Sequence, residues 1–162
     1  MSAVSRDPSA RIARIHLDSG SIVRWSREVE HERQVAIFDL LERNAFALEG
    51  GFPGPYRVEL SLREANLVFA VEAENGAGST ELVLPMRPFR RLIKDYFLVC
   101  NSYFEAIKNA SPSRIEAIDM GRRGLHNEGA EKLADALAGK VRLDDETARR
   151  LFTLVCVLHV RA

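Results

Sequence analysis

The residues best suited to chemistry crowd into positions 119–129. There Asp119-Met120-Gly121-Arg122-Arg123-Gly124-Leu125-His126-Asn127-Glu128-Gly129 holds three glycines, two adjacent arginines, a histidine, an amide and two carboxylates. Asn127 stands ahead of the helical spacing Ala130, Leu133, Ala134 and Leu137. Glycine freedom and that spacing predict a loop over 121–127 feeding a helix capped by Asn127. A helix start offers unpaired N–H groups and the positive end of its dipole. Arg122 and Arg123 would add a forked grip on a phosphate or carboxylate, with Asp119, His126, Asn127 and Glu128 completing the expected ligand-binding set. The spacing is neither a P-loop nor a dinucleotide fingerprint, so it implies no cofactor. The plainer alternative is a corner between two helices, its glycines supplying positive φ and its arginines pairing with Asp119, Glu128 or Glu131.

His126 is the one candidate catalytic group, an acid–base with Asp119 or Glu128 to orient it. No serine or cysteine in that segment serves as a nucleophile, which ranks an enzyme behind a binding role. No HExxH or paired-histidine spacing supports a metal site.

A second feature is the basic face Arg87, Arg90, Arg91 and Lys94, spaced to share one side of a helix. The face falls at the helix's N-terminal end, where cations oppose the dipole. Charge set against the local field points to an external anion: a phosphate-bearing ligand, RNA or an acidic protein surface. A solvated face neutralised by Asp95 is the bland alternative. A DNA-reading helix-turn-helix fits poorly, because the helix after the turn would present Glu128, Glu131, Lys132 and Asp135 to phosphates, which the acidic residues repel.

The elements that must position these groups follow from composition and periodicity. A chain of 162 residues with 46% hydrophobic side chains buries a core without metals or disulfides. Lys+Arg and Asp+Glu both count 23, which excludes a surface built throughout for nucleic acid and favours self-association. Cys100 and Cys156 sit in apolar runs and read as buried, inert thiols of a reducing compartment. The first fifteen residues contain no apolar stretch that would read as a secretory leader, and no run is long enough to span a bilayer. The expected location is therefore cytoplasmic.

Residues 1–10 read as a frayed tail. Residues 11–17 suit a first strand, 18–21 a turn, and 27–44 an amphipathic helix behind Ser26 as N-cap. Tyr56, Val58, Leu60 and Leu62, then Leu67, Phe69, Val71 and Ala73, alternate with mostly polar neighbours. With Asn75-Gly76 as a turn and a third strand over 80–84, they form an antiparallel meander. Phe89, Leu92, Ile93, Tyr96, Phe97, Cys100, Phe104 and Ile107 stripe a helix ending near Asn109. Ser111-Pro112 opens another, with Ser113 and Glu116 at capping-box spacing, and Gly121 or Gly124 ends it. Gly139 closes the helix after Asn127. Asp144 caps the last one, whose residues 151–158 are apolar nearly all round and belong at the centre. Residues 125–137 look like half a leucine-rich repeat, but the pattern occurs once and a solenoid needs about three copies.

The runs Val29-Glu30-His31-Glu32-Arg33, Phe89-Arg90-Arg91-Leu92-Ile93-Lys94-Asp95-Tyr96-Phe97, residues 115–129 and Ala148-Arg149-Arg150-Leu151-Phe152-Thr153-Leu154 together carry a resemblance. Over about residues 11–161 the chain resembles a small alphaproteobacterial family catalogued as an uncharacterised protein family. The resemblance implies a bacterial, cytoplasmic protein and brings no activity, ligand or catalytic residue.

The expected fold is α+β, a single domain over 11–162. It has a three- to four-stranded antiparallel sheet, helices packed on one face and the last helix near the centre. The favoured function is a non-enzymatic binding or regulatory module that engages an anionic partner through the Arg/Gly-rich loop and the basic face. The alternative is a small hydrolase or transferase using His126. A third reading is an interaction subunit or homo-oligomer that buries an exposed apolar helix face.

Overall fold

The computed structural model describes residues 7–18 and 27–159. In chain order these form β1 (Ile12–Asp18), α1 (Arg27–Glu42), β2 (Phe46–Leu48), β3 (Tyr56–Arg63), β4 (Asn66–Ala73) and β5 (Ser79–Pro85). Then follow α2 (Arg90–Asn109), α3 (Pro112–Leu137), β6 (Val141–Leu143) and α4 (Asp145–Leu158).

Alternation builds the sheet. Tyr56, Val58 and Leu60 of β3 are buried while Glu59 is exposed, and Leu67, Phe69 and Val71 of β4 join them in the core. The meander β3–β4–β5 is antiparallel as expected, with Val58 opposite Val71 and Val71 opposite Thr80. Its second turn is set by Asn75-Gly76: Gly76 has φ +78°, and Ala77 N–H donates to Asn75 Oδ1 at 2.9 Å. The strand order is β1-β3-β4-β5, and β1 lies parallel to β3. That corrects the wholly antiparallel expectation: α1 carries the chain back to the end where β1 began, so the strands it joins run the same way.

A second, two-stranded sheet pairs β2 with β6, bringing Phe46 opposite Leu143. Residues 7–10, assigned to a tail from sequence, turn back on themselves: Ser9 N–H donates to Asp7 Oδ1, and Ala10 is buried. The turn after Asp18 and the Ser26 cap lie outside the described residues.

The helices cover the sheet's apolar face. α4 packs between α1 and α3, and α3 packs in turn on α2. Every residue from 151 to 158 is buried, as the apolar run required. Asp144 caps α4 by accepting from Thr147 N–H, and Gly139 at φ +82° follows α3. Ser111, rather than Ser113, caps α3, its hydroxyl accepting from Arg114 N–H.

Candidate functional site

The expected loop over 121–127 is helix. α3 runs unbroken for 26 residues through Gly121, Gly124 and Gly129, so Asn127 caps nothing and no helix start stands there to receive an anion. None of these three glycines needs positive φ. Tertiary packing supplies what propensity does not, because Gly129, Ala130 and Leu133 are buried. Only Ala110 and Ser111 separate α2 from α3, so the pair forms an antiparallel hairpin. Its register is marked by Arg122 against Tyr103, His126 against Tyr96, and Lys132 Nζ donating to Pro88 O at 3.0 Å.

The six residues singled out on this segment divide by helix face. Arg122 is drawn inward, its side chain 21% exposed. It donates to Asp119 Oδ1 at 2.7 Å, lies 3.5 Å from Glu32 of α1, and stacks its guanidinium 4.3 Å from the Tyr103 ring centre. Burial works against its charge, and Glu32 and Asp119 more than offset that, holding its pKa above the ordinary arginine value. Arg123 points outward and pairs with the other oxygen of Asp119 at 2.9 Å. Asn127 Oδ1 accepts from Arg149 of α4 at 2.8 Å. Glu128 is exposed, with no cation within 4 Å among the described residues. Both arginines are thus committed to carboxylates of their own chain.

His126 faces the opposite way, into the junction of α2, α3 and α4. Its Nε2 lies 3.0 Å from Tyr96 Oη and 3.2 Å from Thr153 Oγ1. As the Nε2–H tautomer the ring shares its one N–H between both oxygens. Thr153 then donates to Arg149 O at 3.2 Å. The imidazole also packs on the Tyr96 ring, centres 4.8 Å apart. Burial first, then the positive charge of Arg122 and Arg149, lowers the His126 pKa to about 4, so the ring is neutral at physiological pH. Burial pushes the Cys100 thiol up to about 11 and Cys156 well above its ordinary value; these are inert thiols.

Glu32, Tyr96, Tyr103 and Thr153 belong to this junction and escaped the sequence reading. Tyr96 was absorbed into an aromatic core stripe. Thr153 did leave a signal, as the one polar residue inside the apolar run of α4. The pairing of Glu32 with Arg122, ninety positions apart, left none.

The basic face stands where the spacing placed it. A single 3-10 turn, Arg87–Phe89, leads into α2, and Arg87, Arg90, Arg91 and Lys94 are all exposed. No side chain caps this start and no acidic residue occupies its first turn. Arg91 lies 3.8 Å from Asp95; among the described residues no carboxylate lies within 4 Å of Arg87, Arg90 or Lys94. No helix among the described residues is long and apolar enough to cross a membrane.

A family model described as an uncharacterised protein family, UPF0262, matches residues 9–161. A UPF0262 protein of Rhizobium etli (strain CIAT 652) is 56% identical over 151 residues, covering 93% of this chain and 96% of the relative. One from Rhizobium meliloti (strain 1021) is 56% identical over 155 residues, covering 96% and 98%. One from Brucella canis is 55% identical over 155 residues, covering 95% and 96%. No solved structure gives a significant match.

Proposed function

The chain belongs to this uncharacterised family, whose description assigns no activity, and from the geometry we propose a non-enzymatic cytoplasmic binding module. It engages an anionic partner through the basic face of α2. One observation carries the reading: four exposed cations surround a helix start that has neither a side-chain cap nor an acidic first turn. Cations there repel the dipole and one another, a cost offset when an anion arrives. Lys132 strengthens the patch, because its bond to Pro88 O holds a fifth cation beside it. Three of the four cations are arginines, whose forks suit phosphate, so the backbone of RNA is the chemistry the face fits best. Arg122 and Arg123 drop out of the binding set because Asp119 and Glu32 already neutralise them.

Fluorescence anisotropy with a short single-stranded RNA, titrated with salt, tests this. The combined variant Arg87→Ala, Arg90→Ala, Arg91→Ala, Lys94→Ala should bind more weakly. Its log K against log salt should flatten by about 0.7 for each phosphate contact removed. Equal affinity and equal slope in variant and parent would refute the face. Failure of the parent to bind RNA, with retention of the parent but not of the variant by an acidic protein column, would move the partner to protein.

The second reading, a hydrolase or transferase acting through His126, is favoured by the contact between Nε2 and Thr153 Oγ1 at 3.2 Å. In that geometry the imidazole could take the threonine's proton only as the Nδ1–H tautomer, with Thr153 released from Arg149 O.

A further inference from the structure

Between α1 and α2, floored by α4, lies a cleft of about 260 Å³. Its floor carries Thr153, Val157 and the Tyr96 ring, and its α2 wall carries Phe97 and Phe104, two helical turns apart. The α1 wall carries Glu28 and Glu32, four residues apart and so on one face. Glu105 and Lys108 stand at the mouth, both exposed and 3.7 Å from each other. Three carboxylates against one ammonium leave the lining with a formal charge of −2. The Glu32 carboxylate is only 25% exposed, and the one cation within 4 Å of it among the described residues is Arg122, at 3.5 Å. Arg122 is bound more closely to Asp119, at 2.7 Å, so Glu32 keeps acceptor capacity inside the cleft.

We propose that this cleft binds a small organic cation: a protonated amine on a flat apolar body. The ammonium sits on Glu32, and the body lies against Phe97 and Phe104. The size fits, since 260 Å³ falls just below the roughly 300–1,000 Å³ of drug-sized sites and admits one ring with a short arm. The charge fits, because a partly buried carboxylate gains most from a charge-assisted donor. Aromatic faces beside it add attraction for the same cation. The sign is opposite to that of the α2 face, so neither site substitutes for the other.

Phenethylamine is the probe, with 3-phenylpropionate as the same body bearing the opposite charge. Each is titrated into the full chain and followed by amide chemical shifts. Phenethylamine should shift the amides around Glu32, Phe97 and Phe104 saturably, and 3-phenylpropionate should leave them in place. Glu32→Gln, nearly the same shape without the charge, should weaken amine binding by about tenfold or more. Absence of saturable shifts with the amine, equal response to the acid, or unchanged affinity in a folded Glu32→Gln variant would each overturn the proposal. Should Glu32→Gln fail to fold, the contrast between amine and acid on the parent chain decides. RNA binding by the α2 face is read separately, so one site can fail while the other stands.

Discussion

His126 joins three helices through one ring nitrogen, and its loss should be felt as lost stability. His126→Ala removes bonds to Tyr96 and Thr153 together with ring packing on Tyr96. Chemical denaturation should show a loss of about 1–2 kcal/mol. A variant of full stability would instead favour the catalytic reading. The same group sets a pH dependence whose sign is fixed by burial. Its pKa falls from 6.5 to about 4 on folding, so between those values the unfolded chain takes up a proton that the folded chain refuses. Stability from this group is therefore whole above pH 6.5 and declines as pH falls towards 4, by at most about 1.4 kcal/mol per unit. Arg122 and Arg149 deepen that effect and Asp119 opposes it. Denaturation of His126→Gln alongside the parent isolates it: the variant's decline over this window should be shallower, and identical curves would count against the assignment. At this scale residue type singled out side chains but not the neighbours they meet. His126 and Arg122 stood out by type, but Tyr96, Thr153 and Glu32 reach them only through helix packing.

Helix α3 is where local propensity misleads most. Gly121 and Gly124 imply a break, yet both lie in continuous helix with nothing within 4 Å of where a Cβ would stand. Gly121→Ala and Gly124→Ala should each raise stability by about 0.5–1 kcal/mol, because helical glycine carries an entropic cost without a packing reason here. Gly129 differs: a Cβ there would meet the Phe152 ring at 2.4 Å, and Phe152 is fully buried. Gly129→Ala should cost about 1–3 kcal/mol through overpacking of α3 on α4. Thermal melts of the three variants check the order; a loss at Gly121 or Gly124 would mean that the segment does more than span. The pairing of Asp119 with residues three and four positions on also holds this stretch helical. Elements with strong periodicity, α2, α4 and the strands of the meander, were legible because apolar spacing alone specifies them. The course of α3 was not, since its helix is held by packing on α2 and α4 and by charge pairs rather than by an apolar spacing of its own.

For the whole molecule, the sheet's mixed order and the helical layer decide which surfaces are available. The parallel pairing of β1 with β3 was hidden because it depends on where α1 returns the chain, which periodicity does not report. The layer of α1, α4, α3 and α2 leaves the start of α2 exposed with its cations outward while turning Arg122 and His126 in. A bracing cluster on α3 is thus distinct from the proposed binding face at the start of α2, and the variant Arg122→Ala, Arg123→Ala tests that separation most directly. Removing Arg122 strands Asp119 and Glu32, carboxylates only 19% and 25% exposed, at a cost of about 2–3 kcal/mol. For a domain of this size that is a fall in melting temperature of about 5 °C or more. The expected result is this loss together with RNA affinity equal to that of the parent when measured well below the melting point. An unchanged melting temperature with lost RNA binding would contradict the account and return the binding role to residues 119–128.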